Sequence, residues 1–154
     1  METIERNSVV YSTEGTLPKL EKIYYTGKMH TTGGREGASV SSDGQLNIKL
    51  STPGTNKPGT NPEQLFAAGW SACFEGALGI AASKKRITLE EDTAIDAEID
   101  LCLAKGEFFL QARLNVSIPG VDRETAWELI EAAENICPYS KAIKGNVNVE
   151  INLV

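Results

Sequence analysis

Residues 61–82 restrict what this chain can become more than any other stretch. Asn61-Pro62-Glu63-Gln64 opens it as a helix opens. The Asn side chain can cap free backbone N–H groups, and Pro62 at the first helical position has no N–H to lose and a preset φ. Gln64 stands where it can reach back and complete a capping box. From Leu65 to Ala82 the residues are apolar on nearly every side and rich in Ala, with Gly69, Gly76 and Gly79 among them. A helix without a polar face is buried, and glycines, which weaken a helix, suit tight packing against another backbone. The alternative home is lipid, because about 18 apolar residues approach the length of a span. Glu75 near the middle is costly there, and the mean hydropathy of the whole chain is −0.21. The stretch reads as a core helix.

A core helix needs a domain around it. The chain has 154 residues, 41% hydrophobic and 23% charged, which suits one domain with a sizeable core. A net charge of −6 sets it against nucleic acid or an anionic membrane as partner. The start, Met-Glu-Thr-Ile-Glu-Arg, carries no basic-then-apolar export pattern. Three cysteines make an odd number, unsuited to a disulfide framework, so the expected setting is a reducing cytoplasm with free thiols.

In chain order, residues 1–20 are a polar arm in which Val9-Val10-Tyr11 suits a short strand, and residues 21–154 form the single domain. Lys22 to Thr32 suits a strand, with Ile23, Tyr24 and Tyr25 in it. Gly33-Gly34-Arg35-Glu36-Gly37 is a turn, Asp43-Gly44 marks a hairpin, and Leu46 to Leu50 alternates as a half-buried strand. Ser51 to Thr60 is a loop leading to the helix, which Lys84-Lys85-Arg86 closes with charge that its dipole favours. Ile95, Ala97, Ile99, Leu101 and Leu103 then share one face of a long strand, and Lys105-Gly106 turns it onto a partner bearing Phe108, Leu110, Ala112, Leu114, Val116 and Ile118. Asp122 caps a second helix that runs to about Ile136 with Ala126, Leu129, Ile130 and Ala133 as its buried stripe. Pro138 breaks it just past Cys137, and Val147, Val149, Ile151 and Leu153 form a last strand. The class is α+β: antiparallel β-sheets, a long buried central helix and a second helix.

Few residues are equipped for chemistry. By position alone Cys73 reads either as an inert core thiol or as a reactive one; free cysteine is often buried, and a reactive thiol needs a positive neighbour. Arg35 in its glycine-rich turn is a candidate neighbour, although an arginine there is ordinarily solvated. Glu63 in the first helical turn is ordinarily a dipole partner. Cys137, at a helix end beside proline, reads as the less rigidly packed thiol. Cys102 falls on the polar parity of its strand. One histidine, His30, and three scattered cysteines leave neither a zinc site nor a Cys–His protease well provided.

Three motifs carry a resemblance. Residues 61–78 (Asn-Pro-Glu-Gln-Leu-Phe-Ala-Ala-Gly-Trp-Ser-Ala-Cys-Phe-Glu-Gly-Ala-Leu), 32–37 (Thr-Gly-Gly-Arg-Glu-Gly) and 137–147 (Cys-Pro-Tyr-Ser-Lys-Ala-Ile-Lys-Gly-Asn-Val) resemble the organic hydroperoxide resistance branch of the OsmC-like family, from about Lys22 to Val154. The resemblance implies an intertwined homodimer with its sites at the interface. It also implies a metal-free, cofactor-free thiol peroxidase for alkyl and fatty-acid hydroperoxides, recycled by a dithiol, the dihydrolipoamide of lipoylated proteins. It makes Cys73 the peroxidatic cysteine, Cys137 the resolving one, and Arg35 with Glu63 the pair that orients and stabilises the thiolate; Cys102 gets no role. Trp70 stands where tyrosine is common in the family, and the Ser51–Thr60 loop is short for it. Leu65, Phe66, Trp70 and Phe74 are expected to supply an apolar substrate wall. A different class of reading is a non-enzymatic redox sensor or apolar-ligand module, in which the thiols are only a switch. A third is an OsmC-like protein with another preferred peroxide. One geometric tension stands: Glu63 and Cys73 are about 15 Å apart along a straight helix, so Arg35 must span that length or the helix must kink near Gly69.

Overall fold

The computed structural model describes residues 17–154, so the expected strand at Val9–Tyr11 lies outside the described residues. The first sheet is a meander of β1 (Met29–Thr32), β2 (Ala38–Ser41) and β3 (Asn47–Lys49), all antiparallel. Its first strand is shorter than the expected Lys22–Thr32. Ile23, Tyr24 and Tyr25 are about four-fifths exposed (81%, 88% and 80%) and belong to no strand. Strand propensity describes fit to a pleated, half-covered surface, and no strand among the described residues lies beside them.

The central helix α1 spans Pro62–Lys84 without a break. Asn61 caps it, accepting the Gln64 N–H at 2.9 Å. The capping box is only half made, because the Gln64 side chain instead accepts from the Thr60 hydroxyl at 2.8 Å. Trp70, Phe74, Ala77, Leu78, Ala81 and Ala82 are buried, against β4 and the second helix. The expectation of burial all round fails for this chain alone. Ala68, Ala72, Glu75, Gly76, Gly79 and Ile80 are exposed, and they recur at helical spacing as one uncovered stripe.

The second sheet joins β4 (Ala94–Ala104) to β5 (Glu107–Ser117) antiparallel, through a Lys105-Gly106 turn in which both residues have positive φ (50° and 79°). That pairing of two positive φ values is the tight turn that matches strand twist. β6 (Asn148–Leu153) lies on the other edge of β5 and runs parallel to it. The sheet is therefore mixed rather than antiparallel, since the chain crosses between β5 and β6 through helices and returns in its original direction. Those helices are α2 (Arg123–Ile136), capped by Asp122, and a short α3 (Pro138–Ile143). Pro138 does end α2, but it also starts α3, because the residue that cannot continue one helix is well suited to open the next. Leu114 and Val116 of β5, Leu129 and Ile130 of α2 and Trp70, Phe74 and Leu78 of α1 meet in the core. α1 has the length and composition of a membrane span, yet here those large side chains are seated in protein.

Candidate active site

The thiols meet where three helices converge. Cys73 sits mid-way along α1, and Cys137 is both the C-cap of α2 and the N-cap of α3. Cys137 Sγ lies 3.3 Å from Cys73 Sγ and donates to it, although 64 residues separate them in sequence. A disulfide requires about 2.05 Å, so a small side-chain movement separates contact from bond. Cys137 is fully buried, which corrects the loosely packed thiol expected at a helix end: its sulfur accepts the Ser140 N–H of α3 at 3.5 Å. Cys73 is half-buried. Burial pushes its pKa up from the ordinary thiol value, the Tyr139 backbone N–H pulls the other way, and the adjoining Cys137 adds to the rise. Among the described residues no cation enters that balance.

Arg35 and Glu63 form a second centre. Thr32, Gly33 and Gly37 fold the turn tightly: a Cβ on Gly37 would fall 1.7 Å from the Thr32 carbonyl oxygen. That close approach admits only glycine. The turn presents Arg35 to the first turn of α1, where its guanidinium donates to both Glu63 oxygens at 2.9 and 2.5 Å. The fork holds the Glu63 carboxyl below the ordinary range, and Glu63 raises the Arg35 pKa in turn. Beside it, Glu36 accepts from Thr52 at 3.1 Å and pairs with Lys57 at 3.6 Å, so the short Ser51–Thr60 loop steadies the turn.

The two centres are not joined within one chain. α1 is continuous between Glu63 and Cys73, and ten residues at the α-helical rise put them about 15 Å apart. A cavity of about 700 Å³ opens on Arg35 and Glu63, with Ala67, Ile99, Leu101 and Phe108 in its wall. Neither cysteine lines it. Of the four expected wall residues, Phe66 borders an adjoining cavity of about 330 Å³. Trp70 and Phe74 are core residues with no exposed surface, and Leu65 lines none of the cavities described.

A match to the OsmC-like protein family covers residues 53–152. An organic hydroperoxide resistance protein of Xanthomonas axonopodis pv. citri is 42% identical over 137 residues, 86% of this chain and 96% of that protein. The chain belongs to the OsmC-like family. Within it, the chain groups with the organic hydroperoxide resistance proteins. OhrB of Bacillus subtilis is 43% identical over 134 residues, 84% of this chain and 97% of OhrB. Its crystal structure superposes with a TM-score of 0.77, covering 84% of this chain and 98% of that one. An organic hydroperoxide resistance protein from Legionella pneumophila, 39% identical, reaches 0.80 over 86% of this chain and 98% of its own.

On this OsmC-like scaffold, the cavity wall is what sequence reasoning missed. Leu101 (47% exposed) and Phe108 (71%) stand on the far end of the β4–β5 hairpin. The signal was present in the hairpin's length. Its apolar parity runs through Leu101, Leu103 and Phe108, past what one helix can cover, so those residues had to face something else. His30 lies exposed on β1. Cys102 is half-buried opposite Phe109, away from the other thiols. Among the described residues no group of three or more His, Cys, Asp or Glu side chains is arranged to hold a metal ion.

Proposed function

We propose that this protein is a cysteine-based peroxidase that reduces organic hydroperoxides to alcohols in a reducing cytoplasm. The observation that carries the reading is the 3.3 Å contact between Cys73 and Cys137, in a chain whose relatives are named for resistance to organic hydroperoxides. Cys73, as thiolate, attacks the distal oxygen of the hydroperoxide. The O–O bond breaks, the alkoxide takes a proton and leaves as alcohol, and the sulfur, oxidised by two electrons, becomes a sulfenic acid. The Cys137 thiol then displaces hydroxide, which leaves as water, and a Cys73–Cys137 disulfide forms. A dithiol, dihydrolipoamide on a lipoylated protein, reduces that disulfide by exchange and becomes a disulfide itself.

The thiolate requirement gives the dimer its part. Cys73 alone is pushed toward the neutral thiol, while Arg35 is engaged ten residues up the same helix. A second copy that covers the exposed stripe of α1 brings its own Arg35–Glu63 fork to this Cys73 and takes this chain's fork to its own. Guanidinium suits the task because it stays charged and can hold a carboxylate while donating to sulfur or peroxide oxygen. The apolar cavity beside the fork favours an alkyl or acyl hydroperoxide over hydrogen peroxide.

The same Cys73–Cys137 contact also fits the other reading, a thiol switch that oxidises once. Turnover separates the two. With excess dithiol and tert-butyl hydroperoxide, an enzyme consumes many equivalents per chain, whereas a sensor stops after one.

A further inference from the structure

Resting on the peroxidase reading, we infer that Trp70 and Ser140, with Gly69 beneath Tyr139, are positioning residues for the disulfide step. Trp70 is wholly buried and its indole N–H donates to Ser140 Oγ at 3.0 Å. Ser140 is itself only 4% exposed. A buried indole N–H without a partner is costly, and this hydroxyl is its partner. The bond has a particular place. Trp70 precedes Cys73 by three residues on α1, and Ser140 follows Cys137 by three residues across the start of α3. One buried hydrogen bond therefore ties the two elements within a turn of each sulfur.

A second contact stands beside it. Tyr139 lies across α1 at Gly69, with its hydroxyl oxygen 2.7 Å from where a Cβ would be. Its ring meets Phe66 edge-on at 6.1 Å and 86°. Gly69 is four residues before Cys73, so the ring rests on the turn that precedes the nucleophile. Between these contacts, the Ser140 N–H reaches Cys137 Sγ. The Pro138-Tyr139-Ser140 turn is docked on α1, and the docking leaves the sulfurs in contact.

Docking matters most after the first oxidation. The Cys73 sulfenic acid then has two fates. Cys137 converts it to the disulfide with loss of water, or a second hydroperoxide oxidises it to sulfinic acid and yields another alcohol, which ends activity. The outcome follows how closely Cys137 is held. Loosening α3 slows the first path and leaves the second untouched.

The experiment follows the full chain turning over tert-butyl hydroperoxide with dihydrolipoamide, measuring inactivation per turnover and the Cys73 sulfinic acid by mass spectrometry. Ser140→Ala, Trp70→Phe and their double variant are compared with the parent. Each single variant is expected to raise inactivation per turnover roughly three- to tenfold, as loss of one buried hydrogen bond allows. The double variant should be no worse than the singles, because one bond is lost in all three. Single-turnover hydroperoxide consumption by Ser140→Ala should match the parent. Tyr139→Ala, at a residue 41% exposed and outside the buried core cluster, should move inactivation the same way. Inactivation equal to the parent in all variants, or a double variant with summed effects, overturns the inference. A glutathione titration of the Cys73–Cys137 couple reads the same placement without peroxide. A shifted titration in a parent that never turns over would reject the peroxidase reading and keep the docking role; an unshifted one in an active parent would reject the docking role alone.

Discussion

Arg35 and Glu63 form, at single-residue scale, an ordinary surface ion pair to which the proposed reaction gives a task. The fork is about two-fifths exposed on the arginine side (42%) and 12% on the glutamate side, so its value for stability is small and its value for orientation is the larger. Arg35→Ala is expected to lower hydroperoxide turnover at least about tenfold and to raise the Cys73 pKa in the assembled protein, read by thiolate absorbance near 240 nm. Arg35→Lys should recover part of the rate, because a point charge cannot fork. Unchanged titration and rate in Arg35→Ala would return Arg35 to the role of a solvated loop residue. A separate titration tests the sheet. Asp100, held by Arg113 and Gln111, has its pKa lowered from 3.8 to about 2. A carboxyl depressed by folding adds stability that is present above 3.8 and disappears as pH falls through about 2. Asp100→Asn should therefore be less stable than the parent at neutral pH, with the difference closing in acid denaturation curves toward pH 2. Cys73, Cys137, Arg35 and Glu63 were singled out by the family resemblance of their motifs; position alone left Cys73 open between an inert core thiol and a reactive one. The separation of about 15 Å between Glu63 and Cys73 was legible for a straight helix; that α1 runs past Gly69 without a kink was not, because a glycine fits either course.

Elements were most legible where local chemistry decided them. The caps at Asn61 and Asp122, the Lys105-Gly106 turn and the buried stripe of α2 all follow from residues within one turn of the feature. Asn61→Ala should destabilise the protein by about 1 kcal/mol in urea melts through the lost cap, and Leu129→Ala, which empties a fully buried core position, by about 2–5 kcal/mol. An Asn61→Ala protein as stable as the parent would mean that Pro62 and the Thr60–Gln64 bond already hold the start of α1. Three elements escaped for one reason each. α3 was hidden because proline reads first as a stop. The parallel pairing of β6 depends on the path of the crossover, which lies outside the strand's own pattern. The strand expected over Lys22–Thr32 forms only from Met29, because Ile23–Tyr25 have the right residues and no partner strand among the described residues.

At the scale of the whole molecule, one chain leaves an apolar helix stripe and an apolar hairpin end uncovered, and parts the thiols from the cation that the proposed reaction requires. On the proposed reading a second copy covers both apolar surfaces and brings the cation, so sedimentation at micromolar concentration should find a dimer and not a 16.6 kDa monomer. Mixing Arg35→Ala chains with Cys73→Ser chains, each nearly inactive alone, tests the exchange of forks. Random pairing makes half of the dimers mixed, each with one complete site, so about a quarter of parent activity should return; none should return if each fork serves its own Cys73. The central claim, that Cys73 turns over organic hydroperoxide, is met most directly by steady-state consumption of tert-butyl hydroperoxide with dihydrolipoamide by the parent, Cys73→Ser and Cys102→Ser. The account predicts many turnovers for the parent and for Cys102→Ser and none for Cys73→Ser. A Cys73→Ser chain that still turned over, or a parent that stopped after one equivalent, would contradict it.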